Sequence, residues 1–120
     1  MFAAGIGITP FMAMLRSASE QKLTNNFRLV YCVRSQDEAA FANELIKIQK
    51  LSSNIKIIFV VGGGPRNLLA GSPSISGSIS KELIERVTAG KYGAYSYFLC
   101  GPPAFMKIVD STLKIGRAHV

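Results

Sequence analysis

Two short stretches carry residues whose types and spacing could do chemistry. The first is Gly5-Ile6-Gly7-Ile8-Thr9-Pro10, which follows the apolar Phe2-Ala3-Ala4 and precedes a second apolar run. Glycine frees a backbone from β-carbon contacts. Thr9 reads as an N-cap, and Pro10 suits the first helical position, where a missing N–H costs nothing. A glycine-rich turn that opens a helix leaves amides unpaired with the helix dipole behind them, and together these make an anion site. Phosphate or diphosphate suits such a site. The second stretch is Tyr97-Phe98-Leu99-Cys100-Gly101-Pro102-Pro103, an apolar run ending in a thiol before a turn. At the last position of a buried strand, that thiol would face a ligand crevice. The plainer alternative is a small buried hydrophobe.

Neither stretch is diagnostic by itself. The first lacks the Gly-Lys-Ser/Thr of a Walker loop, and Pro10 stands where the standard dinucleotide fingerprint has its third glycine. Turns of this kind also occur only to let a helix and a strand pack closely. No paired carboxylates, no Ser/His/Asp arrangement and no metal-ligand spacing accompany them. Cys32 and Cys100 are far apart and read as two thiols rather than a disulfide scaffold.

The elements that must position these stretches alternate along the chain. Met1 to Ala4 reads as the end of a buried strand, and Pro10 to about Gln21 as a helix with Phe11, Met14, Leu15 and Ala18 on one face. Phe27 to Val33 is rich in β-branched and aromatic residues and reads as a strand. Ser35 and Glu38 have capping-box spacing for a helix reaching about Leu51, with Phe41, Leu45, Ile48 and Leu51 inward. Ile55 to Val61 is a near-continuous apolar strand. Residues 62–78 read as the longest irregular stretch. Ser80 reads as the N-cap of a helix to about Thr88, with Ile79 and Ile84 as its hydrophobic staple. Tyr95 to Cys100 reads as the fourth strand and Pro103 to Leu113 as the last helix. Strands separated by helices pair in parallel through right-handed crossovers. The expected fold is therefore α/β, a doubly wound parallel sheet of Rossmann-like type with four strands. Its ligand would bind at the carboxyl ends of the strands, near the point where strand order reverses.

Size and charge set further bounds. With 120 residues the chain makes one domain, and 48% hydrophobic content supplies a core. No run approaches the roughly 18 apolar residues of a membrane span, and no signal peptide is evident, so a cytoplasmic location is the default expectation. The net charge of +7 comes from scattered residues such as Arg16, Lys22, Arg28, Arg34, Lys47 and Lys56, without a cluster or aromatic interleaving. Nucleic acid is therefore not expected as a partner.

Taken together, "AAGIGITPFMAMLR", "VYCVRSQDEAAFANEL" and "YFLCGPPAFM" resemble the nicotinamide-binding domain of the ferredoxin–NADP reductase superfamily, in order and spacing, over about residues 1–114. The resemblance implies that Gly5, Ile6, Gly7, Ile8, Thr9 and Pro10 line the diphosphate and nicotinamide side of NADH or NADPH. It implies that Cys100, the catalytic candidate, lies with Gly101 and Pro102 beside the nicotinamide, and that Arg34 and Ser35 lie near the adenosine half. The implied reaction is hydride transfer to FAD or FMN, then single-electron transfer to an iron–sulfur or heme partner. The flavin would sit on a barrel domain of the same polypeptide, in the cytoplasm or at the cytoplasmic face of a membrane.

That barrel is absent from these residues, so the expectation is a domain shortened at both ends that binds nucleotide and catalyses nothing alone. A fifth strand after the last helix is expected to be missing, and 115–120, "IGRAHV", reads as a non-native tail, leaving Arg117 and His119 without meaning. Arg66 is read as a surface arginine rather than a 2′-phosphate ligand, which favours NADH. Tyr31, Tyr92, Tyr95 and Tyr97 are read as packing residues. Two alternatives stay open: a nucleotide-binding regulatory module without redox activity, and a basic interaction domain for RNA or an acidic protein.

Overall fold

The structure is a computed structural model that describes residues 1–62, 68–69, 72–89, 93 and 95–118. Its order is β1 (Phe2–Ala4), α1 (Thr9–Glu20), β2 (Phe27–Val33), α2 (Ala42–Leu51), β3 (Ile55–Val61), β4 (Leu68–Leu69), β5 (Ser72–Ser76), α3 (Lys81–Thr88), β6 (Leu99–Cys100) and α4 (Pro103–Ala118). The strands form one sheet in the order β4-β5-β3-β2-β1-β6. All neighbours pair in parallel except β4 with β5. The order runs outward from β1 through β2 and β3 to β5, while β6 joins on the other side of β1. The reversal therefore falls between β1 and β6.

Alternation along the strands explains the two layers of helix. Leu29, Tyr31 and Val33 of β2 pack with Leu15 of α1 and Leu45 of α2 in one cluster. Val30 of β2 and Val60 of β3 pack with Ile84 of α3 and Val109 of α4 in the other. Side chains of a strand point alternately to opposite faces, so a strand buried on both must be apolar at every position. β2 and β3 meet that condition along most of their length, and the expected doubly wound parallel α/β fold is the one observed.

Several local expectations change. Residues 72–76, inside the stretch that reads as irregular, form β5, which pairs with β3 at Phe59↔Ser74 through Val61↔Ser76. A Ser-Pro-Ser run has little intrinsic strand preference; the free edge of β3 supplies the pairing. With β4 the sheet has six strands rather than four. The fourth expected strand shrinks to Leu99–Cys100 because β1 offers only Phe2 and Ala3 as partners. On α1 it is Met12 that is buried rather than Met14, which is 37% exposed. On α2, Ala42, Leu45, Ile46 and Ile48 face inward, and Leu51 is 72% exposed. Ser35 and Glu38 do not cap α2; they close a short 3-10 turn at Gln36–Glu38, and the helix begins four residues later. The last helix passes Leu113 and continues through Ala118. Ser80 does cap α3, accepting a hydrogen bond from the Leu83 amide at 3.1 Å, with Ile79 and Ile84 in one cluster.

α1 and α2 are tied across their exposed side by Arg16, which donates to both carboxylate oxygens of Glu44 at 2.5 and 2.7 Å and stacks on Phe41. This hydrogen-bonded pairing holds the Glu44 carboxyl below its usual range. Among the described residues no helix is long and apolar enough to cross a membrane.

Two outcomes test this packing. Leu45 is fully buried between α2 and the sheet, and Leu45→Ala should cost about 2–5 kcal/mol in a urea titration. Burial lowers the Met1 ammonium from 8.0 to about 6. Between those values the unfolded chain holds more of this proton than the folded one, so the group makes stability rise with pH through the window and adds no slope above it. Urea midpoints across pH 6 to 8 should show that rise, and an N-acetylated chain should lack this part of it. An identical slope in the acetylated chain would contradict the buried amine.

Candidate functional site

The two glycine-bearing stretches meet at the reversal of strand order. β1 ends at Ala4, and the chain turns at once into a 3-10 helix, Gly5–Ile8, that runs without a break into α1. Gly5 makes the turn possible: its φ is +56°, where a β-carbon is strained. β6 ends at Cys100, and Gly101-Pro102 leads into α4. Ala3 of β1 pairs with Cys100, so the two exits lie side by side at the carboxyl edge of the sheet.

What joins them is a backbone contact at Gly7. A β-carbon placed on Gly7 would overlap the Cys100 carbonyl oxygen and lie 2.6 Å from its carbon and 2.9 Å from the Gly101 nitrogen. The opening turn is thus seated on the peptide between Cys100 and Gly101 with no room for a side chain. Gly101 is packed in the same way from below. A β-carbon there would come within 2.7 Å of the Phe105 ring and 3.1 Å of the Ala4 β-carbon.

This geometry sorts the candidate residues. Gly5, Ile6, Thr9, Pro10 and Pro102 face solvent at the carboxyl edge, with Ile6 93% exposed; Cys100 and Gly101 are half-buried. Gly7 is buried by the Cys100 contact, and the Ile8 side chain is in the core, so Ile8 can offer a ligand only its backbone. Thr9 is not an N-cap. Its hydroxyl donates to the Ile6 carbonyl at 3.1 Å, and Thr9 is the first residue of α1, because the 3-10 turn already starts the helical run. The opening amides of that run have no acceptor within it.

Arg34 and Ser35 leave β2 at the same edge. The Arg34 amide donates to the Glu38 carboxylate at 3.2 Å, and Tyr31 donates from below to the Glu38 carbonyl at 3.4 Å. Gly62, just past β3, fits against this turn; a β-carbon there would lie 3.3 Å from the Arg34 carbonyl oxygen. Sequence reasoning misses Glu38 and Gly62 as parts of the site. The spacing of Glu38 points to a helix cap, and Gly62 stands in a stretch that reads only as irregular. Tyr31, Tyr95 and Tyr97 are engaged in ring packing with Phe59, with each other and with Phe2. Arg66, Tyr92 and His119 lie outside the described residues, and the Arg117 side chain is likewise not described.

The two cysteines flank the end of β1, at Ala3↔Cys100 and Ala4↔Cys32. Two strand spacings separate them, about 9–10 Å, which is more than a disulfide spans. Both are free, as expected. They also differ in environment. Cys32 packs into the cluster under α3 and α4, and burial pushes its thiol up to about 12, so it is inert at neutral pH. Cys100, half-buried like Cys32, packs on the α1 side at the end of β6. Among the described residues no group of His, Cys, Asp or Glu could hold a metal ion.

A helix start at the carboxyl edge of a parallel sheet is the kind of place that attracts an anion. The backbone of Gly5 and Ile6 is exposed there at a helix start, beside the lip made with Cys100-Gly101.

Comparison with known proteins agrees. Residues 1–111 match the model of the family described as "Oxidoreductase NAD-binding domain". A flavohemoprotein of Oceanobacillus iheyensis is 30% identical over 114 residues, which is 95% of this chain and 27% of the relative. Vanillate O-demethylase oxidoreductase of a Pseudomonas species is 32% identical over 114 residues, again 95% of this chain and 31% of the relative. The NADH oxidoreductase HCR of Escherichia coli is 26% identical over 117 residues, 95% of this chain and 31% of the relative. The chain thus spans about a quarter to a third of the length of these curated relatives. With its switch-point lip built from the first turn and the Cys100 turn, and with the family match running nearly end to end, the chain belongs to the oxidoreductase NAD-binding domain family.

Proposed function

We propose that this chain is the nicotinamide-nucleotide half of a flavin-dependent reductase that moves electrons from NADH or NADPH to an iron–sulfur or heme acceptor. The observation that carries the reading is the seat of Gly7 on the Cys100–Gly101 peptide, which makes one shelf from two strand ends at the reversal of the sheet. When bound, NADH or NADPH would supply a hydride, that is two electrons and one proton, for a flavin held by another part of the same polypeptide. The redox chemistry belongs to these cofactors; the protein orients them and excludes water.

The roles of the residues follow from their positions. Amides of Ile6 and Gly7 would hold the diphosphate where Gly5 turns the chain, with the α1 dipole adding attraction. Pro10 fixes the first turn of α1, and Thr9 ties the Ile6 carbonyl. Cys100 is the catalytic candidate: its half-buried thiol would border the nicotinamide, and Gly101 and Pro102 would let the ring approach the backbone. Arg34 and Ser35 border the adenosine half. Beside them Asp37 and Glu38 are both exposed, and two carboxylates there oppose a 2′-phosphate and suit a ribose hydroxyl. We infer a preference for NADH on that basis. A side chain at Gly7 would displace the Cys100 turn.

Calorimetric titration with NADH, NADPH, ATP and AMP tests the reading. Binding of a nicotinamide nucleotide, NADH tighter than NADPH, is the expected result. An adenine-only preference would favour a regulatory module, and salt-sensitive polyanion binding indifferent to nicotinamide would favour a basic interaction domain. Gly7→Ala should cost roughly tenfold or more in affinity, since overpacking of about 1–3 kcal/mol falls on the shelf itself. Gly5→Ala should lower stability by about 1–2 kcal/mol through its positive φ, with a smaller effect on binding, because no atom lies within 4 Å of the added β-carbon. In a polypeptide that includes the flavin domain, Cys100→Ala should slow flavin reduction in stopped flow more than it weakens nucleotide binding. An unchanged reduction rate would rule out that role for Cys100.

A further inference from the structure

The turn after β2 is held as closely as the turn after β1, by different means. Arg34-Ser35-Gln36-Asp37-Glu38 contains no glycine or proline, so contacts rather than backbone preference set its course. Glu38 makes most of those contacts. Its carboxylate reaches back to accept from the Arg34 amide at 3.2 Å, and its own amide donates to the Ser35 carbonyl at 3.2 Å. Its carbonyl accepts from the Ala40 amide at 3.0 Å and from the Tyr31 hydroxyl at 3.4 Å. Tyr31 is 1% exposed and packs on Phe59, so that hydroxyl stands on the interior of the sheet. Glu38 itself is exposed, yet its amide, carbonyl and carboxylate are all engaged within this one segment.

Two neighbours fix the same segment from outside. The Gly62 amide donates to the Val33 carbonyl at 2.8 Å, and a β-carbon on Gly62 would lie 3.3 Å from the Arg34 carbonyl oxygen and 3.5 Å from the Arg34 α-carbon. The start of the turn is thus confined between the Glu38 carboxylate and the exit of β3. Further along, Arg16 of α1 stacks on Phe41 and donates to both carboxylate oxygens of Glu44. α1 follows directly from the Gly5–Ile8 turn, so the helix that starts at the first turn also holds the far end of the second.

The two turns differ in what they offer a ligand. The first presents the opening amides of a helical run. At the second, a carboxylate already occupies the first amide past β2, so an anion finds no free donor there. Resting on the nicotinamide-nucleotide reading, we propose that Glu38 is a positioning residue for the adenosine end of the nucleotide. Its carboxylate closes the Arg34 turn and so holds Arg34 and Ser35 where the uncharged adenosine meets them, while the diphosphate is left to the first turn. Glu38 acts through the Arg34 peptide and needs no hydrogen bond of its own to the nucleotide. A contact surface held in place before the ligand arrives loses less freedom when the ligand binds.

The test compares Glu38→Ala with Glu38→Gln in the 120-residue chain. Both variants lack the charge, and only glutamine keeps an acceptor oxygen of the same reach for the Arg34 amide. The probes are NADH, ADP-ribose, which lacks the nicotinamide, and reduced nicotinamide mononucleotide, which lacks the adenosine. Glu38→Ala should bind NADH and ADP-ribose roughly threefold to tenfold more weakly than Glu38→Gln, the range that one lost hydrogen bond gives. The mononucleotide should bind the two variants alike. Equal affinity of the two variants for ADP-ribose would overturn the proposal. So would a matching loss of mononucleotide binding in Glu38→Ala, since Glu38 would then support the fold at large. Either result leaves the nucleotide reading standing, whereas an unsubstituted chain that binds none of the three probes would overturn both.

Discussion

The contact on which the site depends is one without side chains. Gly7 lies so close to the peptide joining Cys100 and Gly101 that a single β-carbon would force them apart. Through this contact the turn after the first strand and the turn after the last strand become one surface, although 92 residues lie between Gly7 and Cys100 in the sequence. Everything around it supports that approach. Gly5 takes a positive φ to start the turn, Ile8 anchors it in the core, and Phe105 supports Gly101 from α4.

The sheet explains why the contact falls where it does. β1 is central, with β2 on one side and β6 on the other, so its exit lies where neighbouring chain segments diverge to opposite faces. α1 leaves toward one layer and α4 toward the other. The divergence opens a crevice, and the glycines let its two walls meet at the base. The distribution of the thiols follows the same geometry. Cys32 and Cys100 flank the same strand end, yet one is packed under the helices and the other borders the crevice.

Much of this is legible in the sequence, because the strongest signals are local. The apolar strands β2 and β3, the Ser80 cap and the two glycine turns each depend on neighbours in the chain, and each is found where expected. What is not legible depends on partners far away. β5 is a Ser-Pro-Ser-Ile-Ser run that becomes a strand only because β3 offers an edge. Tyr95 to Phe98 looks like a strand by composition but lies outside the sheet, its aromatic rings packed on Phe2, on one another and against Arg28. Thr9 has the right residue type for a cap, yet the turn before it is already helical. The spacing of Ser35 and Glu38 is that of a capping box, but Glu38 reaches the Arg34 amide instead. Gly7 stands out in the sequence for the right reason, a need for close approach. Which atoms approach it is decided only by the fold.

The central claim is that nucleotide binds on the shelf made by the first turn and the Cys100 turn. The most direct measurement is an NMR titration of the isotopically labelled chain with NADH. The account predicts that the largest amide shifts cluster at residues 5–10 and 100–103, with smaller ones at Arg34 and Ser35. Shifts centred instead on the opposite edge of the sheet, around Phe27, Arg28 and Tyr95, or spread without a centre, would contradict it.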